Sequence, residues 1–349
     1  MIIKGEILYD FDDLLIQPAN VSKINSRKEI IVRDIFGFLP LMTAPMDTVI
    51  NEKNKDIFKK NGIISVLPRD NSHKFKNESD QSTIVSYGLQ EFNEIFLNKK
   101  IDLDYNMVLI DVANGHMKQL FESAEKAKKM YGEKIMLFVG NVANPETFER
   151  YCDIGVDGVR IGIGGGGGCL TTVQTGIGFP MASLIEKCRI IRDRHKNSPF
   201  IIADGGFKSY SDIIKALGLG ANSVMLGSIF NKALESAGET FLDQRFEFRL
   251  DQYSNEAKEK FNNGNKIFKS FRGMSTKEVQ KSWGRNEIKT SEGVSRTNQV
   301  EYTLEGWVEN FEAYLRSAMS YTGKKELHQF IGGVNFNIIT RNALKRFDK

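Results

Sequence analysis

Val156-Asp-Gly-Val-Arg-Ile161, then Gly162-Ile-Gly-Gly-Gly-Gly-Gly-Cys169, then Leu170-Thr171-Thr172, is the stretch on which the reading of the fold turns. The first segment has the pattern of a strand. The second cannot pack a core, because glycine buries no side chain and costs backbone entropy to order. Such a run bends freely, lets backbone N–H groups approach a ligand closely and presents one side chain, Cys169, at its end. A soft nucleophile on a pliable loop after a barrel-type strand predicts covalent catalysis.

Working outward, short apolar runs rich in Val and Ile recur through the middle of the chain. They span Pro40–Ala44, Gly62–Leu67, Thr83–Tyr87, Met107–Val112, Ile135–Gly140, Asp157–Ile161, Phe200–Asp204 and Ser223–Gly227. Near-continuous apolar strands separated by polar amphipathic stretches indicate a parallel sheet covered by helices. Eight such units predict an α/β (β/α)8 TIM barrel with N- and C-terminal extensions. An open doubly wound sheet needs fewer strands and carries its Gly-rich turn after the first one. Here the Gly-rich turns follow the sixth, seventh and eighth runs, which lie side by side on the catalytic face of a barrel.

Residues 240–300 are polar, and a connection of that length predicts an excursion carrying a mobile active-site flap. From Leu304, the residues Trp307, Val308, Phe311, Tyr314, Leu315, Ala318 and Met319 keep helical spacing. They predict a C-terminal helix over 304–322 docked on the barrel. The whole chain, 1–349, reads as a single catalytic domain.

The bulk composition excludes several classes. Hydrophobic residues make up 41% and charged residues 26% of the 349 positions, as in a globular protein with a sizeable core. A net charge of +4, with Lys and Arg interleaved among Asp and Glu, argues against nucleic-acid binding. Three cysteines (Cys152, Cys169 and Cys188) and four histidines give neither a disulfide framework nor zinc spacing. Lys4-Gly-Glu6 interrupts the apolar start and no apolar run reaches spanning length, so no signal peptide and no membrane partner are expected. The expected location is the reducing cytoplasm.

Three features converge on the predicted barrel mouth. Ala203-Asp204-Gly205-Gly206 ends the seventh run and Met225-Leu226-Gly227-Ser228 ends the eighth. Loops after these strands commonly bind phosphate through backbone N–H groups, which suits Gly206, Gly227 and Ser228 to a phosphate ester. The Asp204 carboxylate offers acceptors for two ribose hydroxyls. The third feature is Cys169, flanked by glycines and two threonines. Cys152 and Cys188 fall in helical patterns and read as packing residues.

With these residues in view, the chain resembles the inosine monophosphate dehydrogenase and guanosine monophosphate reductase family. The resemblance rests on Asp10–Pro18, Ala44-Pro-Met-Asp-Thr-Val49, the cysteine loop, Ala203–Gly206, Met225–Ser228 and Phe271-Arg-Gly-Met-Ser275, in family order over nearly the whole chain. It is most similar to the reductase. Dehydrogenases usually carry a regulatory domain after the second strand, and Arg69–Ser82 leaves no room for one. Asp111–Gly115, Thr175–Pro180 and Ser291-Glu292-Gly293 are similar to reductase patterns. The Arg-Tyr pair with which dehydrogenases activate water is missing, since Arg285 is followed by Asn286. Pro45 and Ser228 are dehydrogenase-like. Gly167 stands where the family has a phosphate-contacting serine, Lys289 where reductases have arginine, and Thr172 where an arginine usually follows.

The resemblance implies NADPH-dependent reductive deamination of guanosine monophosphate to inosine monophosphate and ammonia, through a Cys169 thioimidate. Thr171 and Glu292 are then the catalytic proton relay. Asp204, Gly205, Gly206, Gly227, Ser228, Gly273, Met274, Ser275, Lys289, Ser291 and Gly293 bind the purine nucleoside monophosphate. Asp111 and Asn114 lie near the nicotinamide, and His116 reads as a cofactor contact or a solvated loop residue. Backbone carbonyls of Gly164, Gly166 and Cys169 match a monovalent cation site, potassium in relatives, and the expected assembly is a homotetramer. Three alternatives stand beside this reading: a dehydrogenase without the regulatory insert (inosine monophosphate, NAD and water to xanthosine monophosphate), a flavin-dependent barrel, and a nucleotide sensor without activity.

Overall fold

Eight parallel strands form the centre of the computed structural model, which describes residues 5–70, 74–76, 80–99, 101–196, 198–243, 245, 247–274, 276 and 293–347. In chain order they are β1 (Leu41–Thr43), β2 (Ser65–Leu67), β3 (Thr83–Tyr87), β4 (Asn106–Asp111), β5 (Ile135–Val142), β6 (Gly158–Ile161), β7 (Phe200–Asp204) and β8 (Ser223–Leu226). From β2 to β8 each pairs with its sequence neighbour, and β1 pairs with β8, Met42 opposite Met225. The last gap closes where Thr43 N–H donates to the Ile64 carbonyl at 3.0 Å and Ile64 N–H donates to Leu41 at 3.1 Å. The sheet is a closed (β/α)8 barrel, and all eight strands fall on the eight apolar runs.

The strands read as near-continuous apolar runs because both faces are buried. On β4, Val108 and Ile110 pack outward under the helices, whereas Met107 and Leu109 point into the barrel with Met42, Val66, Ile84 and Phe138. Phe138 takes up so much of the interior that a Cβ on Gly158 of the next strand would overlap its ring. The glycine there is a packing requirement.

Helices follow most strands and start on side-chain caps. The Asn144 carboxamide accepts from Thr147 N–H ahead of Pro145–Ile154, with proline at the first turn where a missing N–H costs nothing. Ser209 and Asp212 form a reciprocal capping box ahead of Tyr210–Leu219. Thr303 caps Leu304–Tyr321, which buries Leu304, Trp307, Val308, Phe311, Leu315 and Met319 as its spacing predicts. Tyr314 departs from that stripe: it is 53% exposed and its ring leans on Tyr210 at 5.1 Å. The extensions meet each other, Leu14–Ile16 pairing antiparallel with Phe336–Ile338. Among the described residues no helix is long and apolar enough to cross a membrane.

The described residues of the 240–300 excursion carry regular elements that its polar sequence does not mark. It contains a four-stranded antiparallel sheet made of β9 (Thr240–Phe241), β10 (Arg249–Leu250), β11 (Phe268–Arg272) and β12 (Ser295–Gln299), plus a helix over Asn255–Asn262. Two-residue strands and a Ser-capped polar helix leave almost no periodic signal, which is why the sequence predicts an excursion there without marking its elements. The sheet is anchored by Asn231, whose side-chain NH2 donates to Thr48 and Ser270 carbonyls (2.8 and 3.0 Å) while its oxygen accepts from Asn298 at 2.8 Å.

Lys269 of β11 is fully buried, its ammonium donating to the Ser236 carbonyl at 2.7 Å. Burial pushes its pKa down to about 7, against only partial relief from Glu235. The unfolded chain therefore binds a proton that the native one releases between about pH 7 and the ordinary lysine value, and native stability rises with pH across that window. Relative to Lys269→Met, the wild-type protein should gain about 1 kcal/mol of unfolding free energy per pH unit from pH 7 to 9. Urea titrations of both proteins at each pH measure this; parallel pH profiles would contradict it.

Candidate active site

The barrel mouth is organised by one buried cation. Arg160, on β6, points inward from a strand that is otherwise apolar. Its Nη1 donates to Asp111 Oδ1 of β4 at 2.6 Å and its Nε to Asp204 Oδ2 of β7 at 3.0 Å. Burial alone would lower the guanidinium pKa, but Asp204 and Asp111 outweigh it and hold the value above the ordinary arginine range. Asn141, at the end of β5, adds a 2.7 Å hydrogen bond to the same Asp204 oxygen and a 2.9 Å bond to the Gly162 carbonyl. Four consecutive strand ends are thereby tied together. Asp204 Oδ1 faces no donor among the described residues, so one oxygen of the predicted ribose acceptor stays open while the other is committed.

The glycine loop after β6 lies between the β7 turn and the flap sheet, and close approach explains its composition. Gly205 and Gly206 both have φ near +90°, and a Cβ on Gly205 would sit 2.8 Å from Gly166 N. On the other side a Cβ on Gly273 would overlap the Gly168 carbonyl, and Gly273 N–H donates to Val294 at 2.9 Å. Val294 N–H in turn donates to Gly168 at 3.1 Å, and Cys169 bridges antiparallel to Gly293. The flap thus stands directly on the cysteine loop. Arg272, the last residue of β11, fastens it to the β1 loop through Asp47, with Nε to Oδ1 at 3.2 Å.

Within this clamp the Cys169 thiol is partly exposed and donates to Thr171 Oγ1 at 3.2 Å. The other two thiols are buried; burial pushes Cys152 up to about 12 and Cys188 higher still, which leaves them inert packing residues as their sequence setting predicts. The Thr172 hydroxyl reaches the Ile177 and Ile163 carbonyls at 2.7 and 3.3 Å and pins the loop to the segment that follows. Across the pocket, the backbone N–H groups of Gly206, Gly227 and Ser228 donate to no acceptor among the described residues. They are free for an anion.

The structure therefore brings Cys169, Thr171, Gly205, Gly206, Ser228, Gly273 and Gly293 around one opening, with Asp204 and Asp111 joined through Arg160. Asn114, in the segment that follows β4, accepts at Oδ1 from His116 N–H at 3.1 Å. The His116 Nε2 accepts from Ala143 N–H at 3.2 Å and its Nδ1 lies 3.0 Å from Thr147 Oγ1. The imidazole is neutral with the proton on Nδ1, burial lowering its pKa. It ties two loops together rather than lying solvated. Ser275, Lys289, Ser291 and Glu292 lie outside the described residues.

Two groups escaped the sequence reading. An arginine inside the apolar run Val156–Ile161 was the available signal for Arg160. Asn141, one residue beyond an expected strand end, carried none.

Residues 8–347 match the family model described as IMP dehydrogenase / GMP reductase domain. The chain is 29% identical to GMP reductase from Helicobacter pylori (strain J99), over 97% of this chain and 98% of that one. It is 28% identical to GMP reductase from Streptococcus gordonii (strain Challis), over 97% and 96%. It is 27% identical to inosine-5'-monophosphate dehydrogenase from Staphylococcus aureus (strain Mu50), over 86% of this chain but 62% of that protein.

Two expectations follow from the geometry. In the native protein iodoacetamide should alkylate Cys169 and spare Cys152 and Cys188, as read by peptide mass mapping. Arg160→Met should cost about 3–5 kcal/mol of unfolding free energy by leaving two carboxylates without their counter-ion. Adding Asp111→Asn and Asp204→Asn should recover much of that loss in the same urea titration.

Proposed function

The chain belongs to the IMP dehydrogenase / GMP reductase family of oxidoreductases, and we propose that within it the protein is a reductase converting guanosine monophosphate to inosine monophosphate and ammonia. The observation that carries this branch is the connection between β2 and β3. It runs only from residue 68 to 82, with no space for an inserted domain. The coverage agrees: the two reductases match end to end, whereas the dehydrogenase extends well beyond the match.

The chemistry follows from the clamp. The phosphate rests on the unused N–H groups of Gly206, Gly227 and Ser228, and the open Asp204 oxygen accepts a ribose hydroxyl. The purine then lies over Cys169. The thiol proton passes toward Thr171 Oγ1, already its hydrogen-bond acceptor, and the thiolate attacks carbon 2 of the base. Ammonia leaves only once protonated, and Thr171 with Glu292 supplies that proton, the glutamate by family resemblance. The carbon–sulfur thioimidate that remains on Cys169 is reduced at carbon 2, and the thiolate departs as inosine monophosphate forms.

NADPH, when bound, supplies the hydride for this reduction. Asn114 and Asp111 fit a nicotinamide carboxamide. The Asn114 carbonyl is turned inward to His116 N–H, leaving its NH2 available as a donor, and Asp111 keeps an acceptor oxygen beyond Arg160. A monovalent cation would be held by the Gly164, Gly166 and Cys169 carbonyls. Gly166 O already accepts from Cys169 N–H at 2.9 Å and has one lone pair left for it.

The Ser228 hydroxyl and Pro45 favour one second reading, a dehydrogenase acting on inosine monophosphate with NAD. Absorbance at the reduced-nicotinamide band decides between them. Loss of the band with guanosine monophosphate and NADPH is the expected result; growth of the band with inosine monophosphate, NAD and potassium would replace the proposal. Cys169→Ala should abolish turnover while retaining nucleotide binding by calorimetry, and full residual activity would exclude covalent catalysis.

A further inference from the structure

Gly167 is the position in the cysteine loop where the family resemblance leads one to expect a serine hydroxyl directed at phosphate. The space in front of it is taken by a side chain from elsewhere. A Cβ on Gly167 would lie 3.2 Å from Arg296 Nη2 and 3.4 Å from Ser228 Oγ. Arg296 comes from flap strand β12, directly opposite Phe271 of β11. Its guanidinium carbon stands 4.9 Å from the centroid of the buried Phe271 ring. An aromatic face holds a guanidinium by its plane and leaves its N–H edge free. Among the described residues Arg296 has no carboxylate partner, although the chain carries 44 Asp and Glu.

The geometry points to Arg296 as the specificity-determining contact for the phosphate of the bound nucleotide, replacing the absent hydroxyl at Gly167 with a cation. The inference rests on the reading of this pocket as a purine nucleoside monophosphate site. The other described donors to the phosphate (the N–H groups of Gly206, Gly227 and Ser228, and the Ser228 hydroxyl) are neutral, so a dianion placed on them lacks a counter-charge. Arg296 converges on the same point as Ser228 and supplies it, with two parallel N–H groups matched to two phosphate oxygens. Because the cation is carried by the flap, a bound phosphate would add a contact to the backbone bonds that already hold the flap sheet on the cysteine loop.

The test is calorimetric binding of guanosine monophosphate and of guanosine to wild type, Arg296→Gln and Arg296→Lys, each with its thermal midpoint. Arg296→Gln should weaken the monophosphate by roughly ten- to a hundredfold, leave guanosine unchanged and keep the wild-type midpoint, since the side chain is exposed. Arg296→Lys should fall between the two, keeping charge without the planar fork. Equal weakening of nucleotide and nucleoside would make Arg296 a prop for the flap and overturn the inference. Unchanged monophosphate binding in Arg296→Gln would overturn it as well. Failure of the wild-type protein itself to bind guanosine or inosine monophosphate would refute the nucleotide reading underneath.

Discussion

Arg160, held between Asp111 and Asp204 inside the barrel mouth, is the interaction on which the rest of the site depends. Taking three charges out of water is expensive, and a buried ion pair is weak evidence for net stability. Its effect here is positional. With Asn141 it binds together the ends of β4, β5, β6 and β7, and it fixes which oxygen of Asp204 faces outward. Under the proposed function, a carboxylate whose rotamer is locked before the nucleotide arrives loses less conformational entropy on accepting a ribose hydroxyl.

The second constraint is distance. The cysteine loop is squeezed between backbone on both sides: the Gly205-Gly206 turn below it and the Gly273 and Gly293 segments above. Side chains at Gly168 or Gly273 would push the flap off the loop, so the glycines set how closely the flap strands can cover Cys169. The same clamp places the Thr171 hydroxyl against the thiol. Flexibility in the sequence has thus become precision in the fold at Gly164, Gly168, Gly205 and Gly273, each of which is closely opposed by a neighbour in the folded chain.

A consequence is that the site is assembled from distant pieces of chain that share no local signal. Arg272 reaches Asp47 across most of the sequence, and Arg296 reaches the front of Gly167 from a flap strand. Both flap arginines sit in polar strands of the kind that hydrophobic periodicity cannot register. Asn231, with donors and acceptor all spent on Thr48, Ser270 and Asn298, performs the same kind of joining beneath the flap. These contacts explain why the 240–300 excursion is built on a sheet although its sequence carries no periodic signal for one.

What the sequence by itself determined is the barrel and the identity of its chemistry-bearing loops. Buried parallel strands must be apolar on both faces, which makes eight of them legible, and Gly-rich turns after the sixth, seventh and eighth can only meet on one rim. Cys169, Asp204 and Ser228 stand on or beside those turns. What only the tertiary structure decided is which polar groups pair with which: Arg160 with two carboxylates, His116 between two loops, Tyr314 outward instead of inward, and Arg296 over Phe271 in front of Gly167. Pairing of this kind depends on residues far apart in the chain arriving within 3 to 5 Å of each other, and no local pattern of residues encodes that arrival.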